Sequence, residues 1–213
     1  LWSSETPAPT PEATAAPTAA HWGEPDFTAA WGGQAHDAEL FNMSSSAYRG
    51  THVLWPNWYY WRVCTTENAV AKFMYKEPSA DSAGVWVLSF AGTDDEKDAL
   101  MDLNTSTVAI ECGHTTLCNV HKGFYHYVGL VESCVNDYKD ELDSNGIQLS
   151  YIVGHSLGGA SAVVYSQKFG YPAMYGVRTF GAPKTRSAAD EISCSVPGRR
   201  FANIYDPVAG SMI

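Results

Sequence analysis

Residues 147–160, IQLSYIVGHSLGGA, join an apolar run to a turn of small residues around Ser156. The run at 147–153 predicts a buried strand, and the residues after it predict a helix over 156–169. The turn between them, GHSLG at 154–158, has the GxSxG pattern of a nucleophile elbow, in which a sharp strand-to-helix turn exposes a serine hydroxyl. We therefore predict that Ser156 attacks an ester carbonyl. The structural alternative is a serine that only caps the helix.

Further periodic segments flank this strand, turn and helix. They are a helix near 37–48, strands at 69–75 and 85–90, an amphipathic helix at 125–142, and strands at 174–180 and 200–205. Parallel strands need a crossover connection, which is usually a helix. The alternation therefore predicts an α/β sandwich with a central, mostly parallel sheet.

Charge and composition argue against several kinds of partner. The chain has 213 residues with 13 Lys and Arg against 23 Asp and Glu, a net charge of −10 that repels nucleic-acid phosphates. No apolar run is long enough for a transmembrane helix. The sequence offers no phosphate-binding glycine loop and no metal-ligand cluster. We therefore expect no nucleic acid, no transmembrane segment and no cofactor, and a monomer.

The first 20 residues differ in composition from the rest of the chain. Pro, Ala and Thr occupy 14 of these 20 positions, which leaves too little apolar surface to offset the entropy of ordering. We predict a disordered tether over 1–20 and a single catalytic-type domain over 21–213. A tether of this composition can also link to a separate binding module.

The five cysteines favour an oxidising, extracellular compartment. They show no CxxC spacing and no accompanying histidine cluster, which argues against zinc and thioredoxin-like sites. Cys112 and Cys118 flank a short loop and are the first candidate pair for a disulfide. The odd total leaves one thiol free or paired outside this chain. We therefore predict a secreted protein.

Five sequence blocks, in order, resemble one family. GHSLGGA at 154–160 looks like the elbow of the class 3 (fungal-type) lipases of the α/β-hydrolase superfamily. Four more blocks are similar to this family: FAGT at 90–93, VHKGF at 120–124, FGAP at 180–183 and NIYDPV at 203–208. Together they are far more specific than any one block. The resemblance implies an α/β-hydrolase fold and a lipase or esterase that hydrolyses carboxylic esters, acylglycerols above all, through an acyl-enzyme, with lipid as substrate and a lipid–water interface as a site of action.

The resemblance also assigns roles to individual residues. Ser156 matches the nucleophile, and Asp206 matches the acid that orients the catalytic histidine. Thr93 and Leu157 match the oxyanion hole, which stabilises the tetrahedral intermediate. As alternatives, Asp206 can simply form a turn with the proline after it, and Thr93 can simply end a strand.

Some features depart from the family pattern. Positions 91 and 99 are alanine where the family usually has arginine and tryptophan, and the segment at 94–98 is acidic, which favours soluble or short-chain esters over emulsified fat. The superfamily order places a histidine after the acid, yet all seven histidines precede Ser156. We therefore expect that the C-terminal part of the domain is missing and that this chain can be inactive without its base. The alternatives are a non-catalytic binding module of the same fold and a feruloyl-type esterase.

Overall fold

The computed structural model describes residues 25–50, 54–92, 106–112, 116–170, 173–185 and 196–203. Several predictions fall outside these ranges. They concern the tether at 1–20, the acidic segment at 94–98, Ala99, Cys194, and the site residues Thr93 and Asp206.

Eight strands and three helices make up the described part of the chain. In chain order they are α1 (Asp37–Ser46), β1 (Trp58–Thr65), β2 (Val70–Lys76), β3 (Val85–Phe90), β4 (Thr107–Cys112), β5 (Thr116–His121), α2 (Lys122–Ser144), β6 (Tyr151–His155), α3 (Leu157–Lys168), β7 (Val177–Phe180) and β8 (Gly198–Phe201).

Six of these strands form one sheet in the order β1-β2-β3-β6-β7-β8. The first three strands are antiparallel neighbours, whereas β3, β6, β7 and β8 all run parallel to one another. Strands β4 and β5 form a separate antiparallel hairpin. The fold class predicted from the sequence, an α/β sandwich with a mostly parallel sheet, is confirmed.

Alternate residues of each strand point to opposite sides of the sheet, so both faces carry apolar side chains. Helices cover both faces. On one face, α2 and α3 pack over a core that includes Phe73, Leu88 and Ile152. On the other face, α1 packs over Met74 and Val153. Strand β6 runs parallel to its two neighbours, so the turn from its end into α3 lies at the carboxyl edge of the parallel strands. Open α/β sheets bind their ligands at this edge.

Strand β6 begins at Tyr151 rather than at Ile147, because Ile147 ends the preceding helix instead. Its N–H donates to Leu142 O at 3.0 Å, and the N–H of Gly146, at φ 73°, donates to Asp143 O at 2.9 Å. This is a Schellman motif, in which the residue after the left-handed glycine also makes an apolar contact with the last helical turn. Ile147 and Leu142 are both buried.

Strand β1 and the hairpin β4–β5 were absent from the sequence prediction. The register of β1 against β2 shifts between Tyr60 and Arg62, so its buried positions do not alternate strictly. A bulge of this kind hides the period-2 signal by which a strand is predicted. Strand β7 begins at Val177, later than predicted, because the chain turns at Ala173–Gly176, where Gly176 N–H donates to Ala173 O at 3.3 Å.

Two disulfides join the described cysteines. The Cys112–Cys118 bond predicted from the sequence is present and closes the hairpin. The second bond joins Cys64 on β1 to Cys134 on α2, 70 residues apart in sequence. Sequence spacing alone gave no signal for this long-range pair, which tertiary packing brings to a Cα–Cα distance of 5.7 Å.

Candidate active site

Ser156 occupies the turn between β6 and α3 in a backbone conformation that is rare for a residue with a side chain. Its φ is 52° and its ψ is −128°, and only one other described non-glycine residue, Asn57, has a positive φ. Such a conformation costs on the order of 1–3 kcal/mol and persists only where the surrounding structure enforces it. The geometry is that of the strained elbow predicted from GxSxG.

Backbone hydrogen bonds from both sides hold the elbow in place. Ser156 N–H donates to Phe180 O of β7 at 2.9 Å. Ser156 O in turn accepts from the N–H groups of Gly159 and Ala160, at 3.0 and 3.3 Å. The serine is therefore fixed between the neighbouring strand and the first turn of α3, and its side chain is almost enclosed, with 3% of the residue exposed.

Glycines allow β3, β6 and α3 to meet at this turn. A Cβ atom on Gly154 would collide with the Gly158 carbonyl, and a Cβ atom on Gly158 would collide with Phe90 O and the Ala91 backbone. The first turn of α3 therefore lies directly against the end of β3. This contact brings the elbow next to the strand that leads into the predicted oxyanion residue Thr93.

Leu157, the second predicted oxyanion residue, is the first residue of α3. The first four N–H groups of a helix have no acceptor within it, and the helix dipole favours negative charge at this end. An oxyanion formed on an ester bound to Ser156 would lie beside this N–H. The structure thus brings Ser156 and Leu157 together, while Thr93 and Asp206 lie outside the described residues.

Two histidines near the site have structural partners. His155, which precedes the serine, has its Nδ1 atom 2.7 Å from the Tyr48 hydroxyl. Its ring also meets the Phe41 ring edge-on, with centroids 6.4 Å apart. His121 is buried and caps α2, because its Nδ1 atom accepts the Gly123 N–H at 3.1 Å. Both rings therefore make structural contacts within the described residues.

Two buried polar side chains support the site from opposite faces of the sheet, and the sequence patterns did not single them out. Lys72 on β2 donates to Ser46 O and Tyr48 O at 2.9 and 3.0 Å, and burial lowers its pKa to about 8. Tyr127 on α2 donates to Ala91 O at 2.7 Å, and burial raises its pKa to about 12. A lone lysine in a strand and a tyrosine on a helix carry no motif by which sequence analysis would find them.

Comparison with known proteins decides the family. The family profile of class 3 lipases matches residues 87–210, more than half of the chain, and the matched segment includes the elbow. The chain belongs to the class 3 lipase family. It is therefore a member of a family of lipase- and esterase-type hydrolases, as the five sequence blocks implied. A search of curated proteins found no match.

Solved structures agree with the fold of this family member. The propeptide complex of the Rhizomucor miehei lipase matches with a TM-score of 0.62 and 19% identity, over 92% of this chain and 72% of that one. The lipase of Rhizopus microsporus var. chinensis matches with a TM-score of 0.65 and 18% identity, over 83% and 68%. A triacylglycerol lipase of Penicillium expansum matches with a TM-score of 0.62 and 17% identity, over 83% and 74%.

No described helix is long and apolar enough to cross a membrane. Among the described residues, no group of three or more His, Cys, Asp or Glu side chains is arranged to hold a metal ion.

Proposed function

We propose that this class 3 lipase family member is a secreted serine esterase or lipase that hydrolyses carboxylic esters through an acyl-enzyme on Ser156. The observation that carries the proposal is the strained backbone of Ser156, φ 52° and ψ −128°, at the N-terminus of α3. A structural N-cap serine needs no such strain, since N-caps ordinarily adopt extended backbone angles. The two disulfides support export, because such bonds persist in oxidising compartments.

The proposed chemistry assigns one step to each residue of the site. The Ser156 hydroxyl attacks the ester carbonyl and transfers its proton to a general base, and the alcohol leaves as the acyl-enzyme forms. The N–H groups of Leu157 and Thr93 stabilise the tetrahedral oxyanion, and the loss of one such donor typically costs about 3–4 kcal/mol. Asp206 orients the base, and water then releases the acid.

We further propose that the general base is not among the described histidines. His155 is held by Tyr48 and His121 caps α2, while His36 and His126 are exposed. Without a base, the serine hydroxyl is a poor nucleophile. If ester hydrolysis by this chain is slow, added imidazole should accelerate the reaction by acting as the base.

Substrate class forms a separate part of the proposal. Acylglycerols are supported by the structural likeness to a triacylglycerol lipase. The acidic sequence at 94–98 favours soluble or short-chain members of this class. Parallel assays with a soluble short-chain ester, emulsified triacylglycerol and a feruloyl ester separate these substrates. A rate on the feruloyl ester above both others would contradict the acylglycerol assignment.

The decisive experiment is Ser156→Ala, measured by ester hydrolysis and by fluorophosphonate labelling of the natively expressed protein. Both signals should vanish, and imidazole should not restore them. Ser166→Ala is the matched control, because Ser166 is buried in the same helix and its hydroxyl has no hydrogen-bond partner among the described residues. Labelling that survives Ser156→Ala would refute the assignment. Absence of hydrolysis and labelling in the unmodified protein would favour a binding module.

A further inference from the structure

A tyrosine hydroxyl stands between β2 and β3 at the point where β3 leaves the sheet. The ladder of these strands ends at the pair Ala71 and Phe90. One residue further, Val70 faces Ala91, and Ala91 N–H donates directly to Val70 O at 2.9 Å. In an antiparallel ladder, a hydrogen-bonded pair exchanges two such bonds. The expected second bond would run from Val70 N–H to Ala91 O.

The Tyr127 hydroxyl takes the place of that second bond. Val70 N–H donates to the hydroxyl oxygen at 3.1 Å, and the hydroxyl donates to Ala91 O at 2.7 Å. The direct hydrogen bond from Val70 N–H to Ala91 O is therefore replaced by a bridge through the hydroxyl oxygen, and β3 diverges from β2 at Ala91. Tyr127 belongs to α2, so the direction in which β3 ends is set from the helix layer.

The same end of β3 forms one wall of the elbow. A Cβ atom on Gly158 would meet Phe90 O and the Ala91 backbone, so the first turn of α3 lies in contact with this segment. The chain then continues through Gly92 to Thr93. Gly92 is the last described residue before Thr93, so the direction in which β3 ends is the described feature that leads toward the proposed oxyanion residue.

We propose that Tyr127 is a positioning residue. Its hydroxyl bridge between Val70 and Ala91 fixes the end of β3, which leads to the proposed oxyanion residue Thr93, relative to the elbow at Ser156. This inference rests on the proposed function. The bridge is well suited to the role because Tyr127 is buried, with 6% of the residue exposed, so water does not compete for Val70 N–H and Ala91 O. Its raised pKa, about 12, keeps the donor proton in place at any working pH.

The test is Tyr127→Phe, with Tyr165→Phe as the matched control. Tyr165 is also buried, and its hydroxyl donates to Asn136 Oδ1 at 3.0 Å, so it takes no part in the bridge between Val70 and Ala91. Tyr127→Phe removes the hydroxyl that accepts from Val70 N–H and donates to Ala91 O, whereas Tyr165→Phe removes one buried hydrogen bond outside this bridge. Only Tyr127→Phe should lower kcat, by roughly 10- to 100-fold, since a displacement of about 1 Å at a reacting group can cost 100-fold. KM should change by less than about twofold in both variants.

A second readout is amide hydrogen exchange at Val70, which should accelerate in Tyr127→Phe and not in Tyr165→Phe. Equal kcat values for the two variants, in a protein that Ser156→Ala inactivates, would overturn the positioning role and leave the proposed nucleophile intact. Retained activity in Ser156→Ala would instead refute the proposed function. If Tyr127→Phe fails to fold, replacing Tyr127 with 4-aminophenylalanine keeps a donor at that place. That variant should retain kcat within about threefold of the unmodified protein, and a folded but 10-fold slower protein would also overturn the proposal.

Discussion

Gly158 is one of the residues whose missing side chain allows the elbow to form. Its Cα faces Phe90 O and the Ala91 backbone, and these main-chain atoms belong to a sheet strand and cannot move aside cheaply. The GxSxG pattern predicted a glycine requirement at this position. Only the structure identifies the atoms that impose the requirement, because they lie 67 or 68 positions earlier in the chain.

Gly158→Ala should lower the free energy of unfolding by about 1–3 kcal/mol, since overpacking a rigid contact forces the backbone to shift. The same shift should reduce ester hydrolysis. Gly129→Ala is the control, because Gly129 lies within α2 with open space around its Cα. It should raise stability by about 0.5–1 kcal/mol through helix propensity. Urea denaturation measures both changes, and a Gly158→Ala protein as stable as the unmodified one would refute the contact.

Hydrogen bonds from Lys72 on β2 join this strand to the end of α1. Lys72 reaches from the sheet to the carbonyl group of Ser46, the last residue of α1, and to that of Tyr48 just beyond it, where a cation is favoured by the helix dipole. The Nζ atom also lies 5.0 Å from the centre of the Tyr60 ring. Helix α1 ends next to Tyr48, whose hydroxyl contacts His155 at the elbow. The position of α1 is therefore coupled to the turn that carries Ser156.

The buried lysine predicts a specific pH dependence of stability. Its pKa is lowered from the ordinary 10.5 to about 8, so between these values the unfolded chain binds the proton that the folded chain has released. The contribution of Lys72 to stability therefore rises as pH increases from about 8 toward 10.5. Thermal unfolding of the unmodified protein and of Lys72→Met at pH 7 and pH 9.5 checks this. The free energy of unfolding of the unmodified protein, relative to that of Lys72→Met, should be larger at pH 9.5 than at pH 7. An equal change of this free energy with pH in the two proteins would contradict the prediction.

The secondary-structure elements themselves were predictable where their sequence patterns were simple. The apolar, β-branched run at 85–90 and the amphipathic period of α2 gave the correct type and nearly the correct bounds. Strand β1 was missed because its bulge breaks the alternation, and Ile147 was assigned to a strand because a helix-ending residue is also apolar. The bulge arises from pairing with a neighbouring strand, and an apolar pattern does not distinguish a helix-ending residue from the first residue of a strand.

At the scale of the whole molecule, the disulfide between Cys64 and Cys134 ties β1, an edge strand of the described sheet, to α2. It spans 70 residues, whereas the bond between Cys112 and Cys118 spans 6. Closing a longer loop removes more entropy from the unfolded chain, so the long-range bond should contribute more to stability.

Replacing Cys64 and Cys134 together with alanine should lower the free energy of unfolding by about 4 kcal/mol, against about 2 kcal/mol for the pair Cys112 and Cys118, in the chain-entropy model. Denaturant titration of the two double variants gives the comparison. A larger loss for the hairpin pair would show that local strand pairing outweighs loop closure. Ester hydrolysis should survive both replacements at temperatures well below the unfolding transition.

The sequence by itself determined the elbow, the α/β class and the family. Each strand, helix, turn or sequence block is a pattern of residues close together along the chain, and the order of these patterns indicates the class and the family. A strand, a GxSxG turn and a small-residue helix can be recognised within 23 positions, from Ile147 to Phe169. Tertiary structure alone decided the bond from Ser156 N–H to Phe180 O, the hydroxyl bridge of Tyr127, the partners of Lys72 and the bond from Cys64 to Cys134. These features join residues from 24 to 70 positions apart, and such distances are fixed only when helices and strands pack, which no local pattern encodes.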